Sequence, residues 1–89
     1  MIYARVSGRI TSTIAHPDMA GRTLLVCDKL DATGQPAGGY VIAMDAIGAG
    51  KGETVLVLDE GNGARQVLED ANAPIRSVVV AIVDEVELE

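Results

Sequence analysis

The sequence contains no Phe and no Trp, and its only aromatic side chains are Tyr3 and Tyr40. Aromatics bring the largest buried areas per residue, so any core here is assembled from small pieces. They are also the platforms on which single-stranded nucleic acid stacks. Basic residues are scarce as well: 7 Lys and Arg stand against 13 Asp and Glu, a formal net charge of −6. The few cations are scattered along the chain. Without a basic stripe nothing displaces counterions, so neither nucleic acid nor an anionic membrane surface is an expected partner. The single cysteine, Cys27, forms no internal disulfide, and with one His it leaves a structural zinc site short of soft ligands. No apolar run approaches the ~20 residues that span a bilayer. Met1-Ile2-Tyr3-Ala4-Arg5 lacks a charged region followed by an apolar core. No signal peptide is therefore expected, and the cytoplasm is the expected compartment.

What remains is aliphatic. Hydrophobic residues make up 48% of 89 residues, mostly Val, Ile, Leu and Ala. A chain of this length is one domain that buries only about 60–65% of its unfolded surface. Abundant apolar surface with few large side chains points to burial against other subunits; the alternative is a compact Val/Ile barrel stable alone.

The period of the pattern is that of strands. Ile2, Ala4, Val6, Gly8, Ile10, Ser12 and Ile14 fall on one face, with Tyr3, Arg5, Ser7, Arg9, Thr11 and Thr13 on the other. That predicts a long half-buried strand with a bend or bulge at Gly8. His16-Pro17-Asp18 breaks it. Further strands are predicted over Arg22–Leu30, Tyr40–Asp45, Glu53–Leu58 and Ser77–Leu88, with a turn-rich connection from Asp31 to Gly39. Asn62–Glu69 is the one predicted helix, with Asn62 as its N-cap. Five short strands and one short helix before the last strand predict a mainly β fold, a small closed or nearly closed barrel.

Ile47-Gly48-Ala49-Gly50-Lys51-Gly52-Glu53 invites a phosphate-loop reading. A phosphate loop opens a helix, whereas Thr54-Val55-Leu56-Val57-Leu58 follows here and reads as a strand. Lys51 precedes Gly52 rather than Ser or Thr, and the third glycine of a dinucleotide fingerprint falls at Glu53. The glycines therefore read as a tight strand-to-strand turn, and no cofactor is expected. Asp45 stands just before that turn, where its carboxylate can accept backbone N–H groups. Arg65 sits in the first turn of the helix among Gly61, Asn62, Gly63 and Ala64, a placement that opposes the helix dipole unless Arg65 reaches a partner elsewhere. The alternative is a side chain pointing to water. His16 and Cys27 are the candidates for nucleophilic chemistry, but Cys27 lies in an apolar strand, where a free thiol is usually a small buried hydrophobe. The acids have no company suited to acid–base work, so no catalytic residue and no metal ligand is assigned.

These features, in this order, resemble the microcompartment vertex-protein family of ethanolamine-utilization and carboxysome pentamer proteins. The residues that carry the resemblance are Ala4–Thr13, His16-Pro17, Leu24-Leu25-Val26, Asp31 with Gly34, Ala43–Glu53, Val55-Leu56-Val57, Gly63-Ala64-Arg65-Gln66, Ala73-Pro74-Ile75 and Ala81-Ile82-Val83-Asp84. The resemblance covers nearly the whole chain, which makes residues 1–89 one vertex-protein domain. It implies a five-stranded barrel similar to an OB-fold, assembled as a homopentamer without catalysis, that caps the fivefold vertices of a microcompartment shell in the cytoplasm. The implied partners are further copies of the chain and hexameric shell proteins. Asp45, Gly48, Ala49, Gly50, Gly63, Ala64 and Arg65 are the expected subunit-interface set. Many members carry Gly-Ser-Ser-Ala-Arg where this chain has Gly61-Asn62-Gly63-Ala64-Arg65. With no tail after Glu89, no tail-mediated contact is expected. The competing class is an OB-like barrel that binds a ligand or single-stranded nucleic acid.

Overall fold

The computed structural model describes residues 1–10, 23–60 and 76–84. Five strands form a closed barrel: β1 (Ile2–Ile10), β2 (Leu24–Leu30), β3 (Pro36–Asp45), β4 (Thr54–Asp59) and β5 (Ser77–Ile82). Their order around the barrel is β1-β2-β3-β5-β4. Every pairing is antiparallel except β3–β5, a short parallel seam of Met44↔Val78 and Asp45↔Val79. The expected mainly β, OB-like barrel is what the chain forms. The expected helix over Asn62–Glu69 and the His16-Pro17 loop lie outside the described residues.

The interior is filled by small aliphatics. Ala4, Val6, Leu25, Cys27, Ala43, Ala49, Val55, Val57 and Val79 form one buried cluster, with Ile2 and Val41 packed against it. A second cluster joins Met44 and Val78, both without exposed surface, to Leu24, Leu58 and Val80. Along β2, Leu24 and Leu25 alternate between the two clusters, as do Ala43 with Met44 and Val78 with Val79. The sheet is therefore buried on both faces here. This explains why Leu24-Leu25-Val26 and Val78-Val79-Val80 read as continuous apolar runs rather than alternating ones.

Two strand predictions need correction. β3 begins at Pro36, not Tyr40. Proline is tolerated as the first residue of a strand, and Pro36 pairs with Leu30. The connection shrinks to a capped turn: the Asp31 carboxylate accepts from the Thr33 amide at 2.9 Å, the Thr33 hydroxyl at 2.6 Å and the Gln35 amide at 3.1 Å. Gly38 and Gly39 then hold positive φ of 85° and 81° inside the strand. They look like turn residues in a sequence but here supply irregular backbone to a paired strand. β5 ends at Ile82, short of Leu88, although the Val83 amide still donates to the Thr54 carbonyl at 2.8 Å.

The bulge expected at Gly8 is present, and it changes the reading of β1. Val6 pairs with Cys27 and Gly8 with Val26, so Ser7 is the extra residue; its hydroxyl donates to the Val26 carbonyl at 3.2 Å. A one-residue slip exchanges the two faces of a strand. Up to Ser7 the alternation holds, with Ala4 and Val6 buried and Arg5 and Ser7 exposed. Beyond it, Arg9, expected on the outer face with Arg5, stands directly across from the inward Leu25.

Two measurements follow from this packing. Cys27 has no exposed surface, and burial, with the negative charges of Asp28 and Asp45, pushes its thiol up to about 11. At pH 8 about one molecule in a thousand then carries the thiolate, the reactive form. An aromatic disulfide reagent should leave the native protein unlabelled for hours and label it at once in guanidinium. At the β4–β5 end, Asp59 accepts from the Ser77 hydroxyl at 2.5 Å and from Arg76 Nε at 3.2 Å. The Ser77 hydroxyl foremost, with the Arg76 charge, lowers its pKa. A depressed carboxylate pKa stabilises the fold above the unfolded-chain value of about 3.9, and that contribution is lost as pH falls through the folded value. Urea midpoints should therefore decline below about pH 4, and Asp59→Asn should flatten that decline while lowering the neutral-pH midpoint.

Candidate functional site

Among the described residues, the connection from β3 to β4 is the most densely hydrogen-bonded. The Asp45 carboxylate closes its first half. One oxygen, Oδ1, accepts the amides of Ile47 at 3.1 Å, Gly48 at 2.9 Å and Ala49 at 3.2 Å. Aspartate at the end of a strand does this because its short side chain reaches backbone two to four residues on. Glu53 closes the second half: its carboxylate accepts the Gly50 amide at 2.6 Å, and its own amide donates to the Gly50 carbonyl at 3.1 Å. Gly52, third residue of that turn, has φ of 90°, the left-handed value a type II turn demands there. The segment is then stitched to β1, with the Gly52 amide donating to the Val6 carbonyl at 2.8 Å and the Val6 amide to the Glu53 carbonyl at 2.9 Å.

This geometry decides the phosphate-loop question. The amides of Ile47, Gly48, Ala49, Gly50, Gly52 and Glu53 all donate within the chain. A phosphate cradle needs such amides aimed outward. Two of their acceptors are carboxylates, which repel an anion. The glycines join one strand to the next in the chain, as expected, but β3 and β4 are not neighbours in the barrel, because β5 lies between them. The eight residues 46–53 cross one strand position, and their two capped turns make that crossing rigid.

Of the expected interface set, Asp45, Gly48, Ala49 and Gly50 come together in this one segment. Gly63, Ala64 and Arg65 lie outside the described residues. Ala49 is 2% exposed and packs into the interior cluster, whereas Ile47, two residues before it in the loop, is 42% exposed. The loop is thus anchored by one small side chain and presents another, apolar one. Asp45 Oδ1 is occupied within its own chain, so Asp45 shapes the surface through the loop it caps. Sequence reading missed Glu53, although an acid three residues after Gly50 is the signal of a second cap. It also missed Arg9 and Lys51. Both line a cavity of about 240 Å³ with Val6, Gly8, Leu25 and Ala49. Among the described residues, no group of three or more His, Cys, Asp or Glu side chains is placed to hold a metal ion. Cys27, protonated and enclosed, is no nucleophile in the folded state.

The family profile described as "Ethanolamine utilisation protein EutN/carboxysome" matches residues 1–84. The bacterial microcompartment shell vertex protein EutN of Salmonella typhimurium is 42% identical over 86 residues, covering 97% of this chain and 86% of that protein. Among solved structures, the CcmL protein of Gloeobacter violaceus superposes with a TM-score of 0.92 at 36% identity, over 100% of this chain and 91% of that one. The GrpN pentameric microcompartment shell protein of Rhodospirillum rubrum gives 0.87 at 35% identity, over 100% of both chains. A barrel closed in this order, a rigid glycine crossing with its amides internally used, and full-length likeness to these proteins lead to one conclusion: the chain belongs to the EutN/CcmL family.

Proposed function

We propose that this protein is a structural shell component that forms homopentamers and caps the fivefold vertices of a bacterial microcompartment. The observation that carries the reading is the full-length likeness to the pentameric shell protein of Rhodospirillum rubrum. Geometry says why such a part is needed. Sixfold tiles pack into a flat sheet, and a closed polyhedron needs fivefold points in it. A five-membered ring is a head-to-tail assembly in which each copy uses two different patches. The patches must hold their shape, and a loop with six internally bonded amides does so. Its hexameric neighbours in the shell contact the outer edge of the ring. The work is done by interfaces, without a chemical step, in the cytoplasm.

Asp45, Gly48, Ala49, Gly50, Gly63, Ala64 and Arg65 form the ring contact in this reading. Asp45 acts by fixing the loop, Ala49 by anchoring it in the barrel interior, Gly48, Gly50, Gly63 and Ala64 by letting another backbone approach, and Arg65 by reaching an acceptor on the next copy.

Native mass spectrometry should give a species five times the 9.2 kDa chain; a monomer at micromolar concentration and above would refute the reading. Arg65→Ala should shift that species toward smaller ones, and an unchanged pentamer would remove Arg65 from the contact. Asp45→Ala leaves three loop amides without their acceptor, at a cost of about 1–3 kcal/mol. Hydrogen exchange at Ile47, Gly48 and Ala49 should accelerate and the pentamer weaken, while Asp45→Asn, which keeps one acceptor oxygen, should show a smaller effect.

A further inference from the structure

The cavity between β1, the start of β2 and the β3–β4 crossing has an unusual lining for so acidic a protein. Its floor is Val6, Leu25 and Ala49, each 2% exposed. Its rim carries two cations, the exposed Arg9 and Lys51, and none of the described residues that line it is acidic. Arg9 is there because of the bulge: Ser7 is left unpaired, the faces of β1 exchange, and Arg9 comes to stand opposite Leu25. Re-aiming a side chain is a recurring use of such bulges. Lys51 is there because it lies in the turn held by Glu53 on one side and by Gly52–Val6 bonding on the other. Among the described residues neither cation forms an ion pair, in contrast to Arg76, which pairs with Asp59.

We propose that this cavity is the socket in which each copy receives an aliphatic side chain and adjacent carboxylate from the next copy in the ring. The proposal rests on the pentameric reading above and names one of its contacts. Two observations select a second copy as occupant. The first is charge: each chain carries −6, so copies repel unless cations of one meet acids of the next, and complementary charge across an interface fixes register and suppresses wrong partners. The second is continuity. Ala49 forms part of the cavity floor and also belongs to the loop assigned to the ring contact. An apolar floor with a cationic rim accepts a methyl-bearing side chain below and a carboxylate above, a combination that an acidic, aliphatic chain offers in quantity.

The test begins with zero-length carbodiimide coupling of the assembled ring, made from a mixture of light and 15N-labelled chains. Lys51 should be joined to an Asp or Glu in mixed-isotope peptides, which proves a link between copies. Lys51→Arg should abolish the link with the ring mass unchanged. Arg9→Glu/Lys51→Glu should raise the concentration at half-assembly by about tenfold or more. If that variant fails to fold, Arg9→Gln/Lys51→Gln should show the same trend more weakly, with circular dichroism confirming the barrel. A ring that assembles at the wild-type concentration in the Gln variant, or a Lys51 that couples only within its own chain or not at all, overturns the socket, whether or not the cavity then takes a free carboxylate. A wild-type chain that never forms a ring removes both readings, whereas a wild-type ring indifferent to these changes removes the socket alone.

Discussion

The structure depends on a barrel closed around very small side chains. Its interior holds valines, three alanines, one leucine and one cysteine. With no ring to fill the space, the strands must coil tightly for the inward residues to touch. Regular antiparallel strands resist such curvature, and bulges provide it. The pairings are accordingly interrupted at Ser7 in β1, near Lys29 in β2 and at Val80 in β5. The bulge at Ser7 bends the strand so that Val6 bonds through both amide and carbonyl to the β3–β4 crossing, and it turns Arg9 toward the cavity. Thus the lack of aromatics, an absence in composition, leads to the shape of the surface.

How far this could be read beforehand varies with the range of the interaction. Alternation in Ile2–Val6 places Ala4 and Val6 inward without further information. The cap by Asp45 is visible because its partners lie two to four residues away and a glycine follows. Bulges are harder. Gly8 signals that one exists, but which residue is doubled depends on the facing β2 register, and that decides the side on which Arg9 emerges. Gly38 and Gly39 conceal the start of β3 because positive φ is normally a turn property; only pairing with β2 keeps them in a strand. Least accessible is the parallel contact of β3 with β5, since more than thirty residues separate Met44 from Val78. Nothing local records it.

The same glycine segment shows why motif and chemistry must be weighed together. Gly48, Gly50 and Gly52 at alternate positions are what a nucleotide site displays, yet here aspartate, glutamate and a neighbouring strand take up the donors. The hydrogen bonds that a phosphate loop offers to a ligand are spent on rigidity. For a part whose role is to present an unchanging edge, this is the more useful allocation. Membership of the EutN/CcmL family agrees with that use, and the order of strands is what puts loop, bulge and cavity side by side.

The strand order has a temporal corollary. β5 is the last of the described strands in the chain but sits between β3 and β4. Until it is synthesised, both flanking strands offer bare edges, and such edges recruit whatever strand is nearby. Closure is also a long-range event, which is slow relative to hairpin formation. During synthesis, then, the barrel stays open between β3 and β4 until β5 emerges, and ring building waits for that closure. A late keystone of this kind sets an order of events: completion of each protomer first, association second.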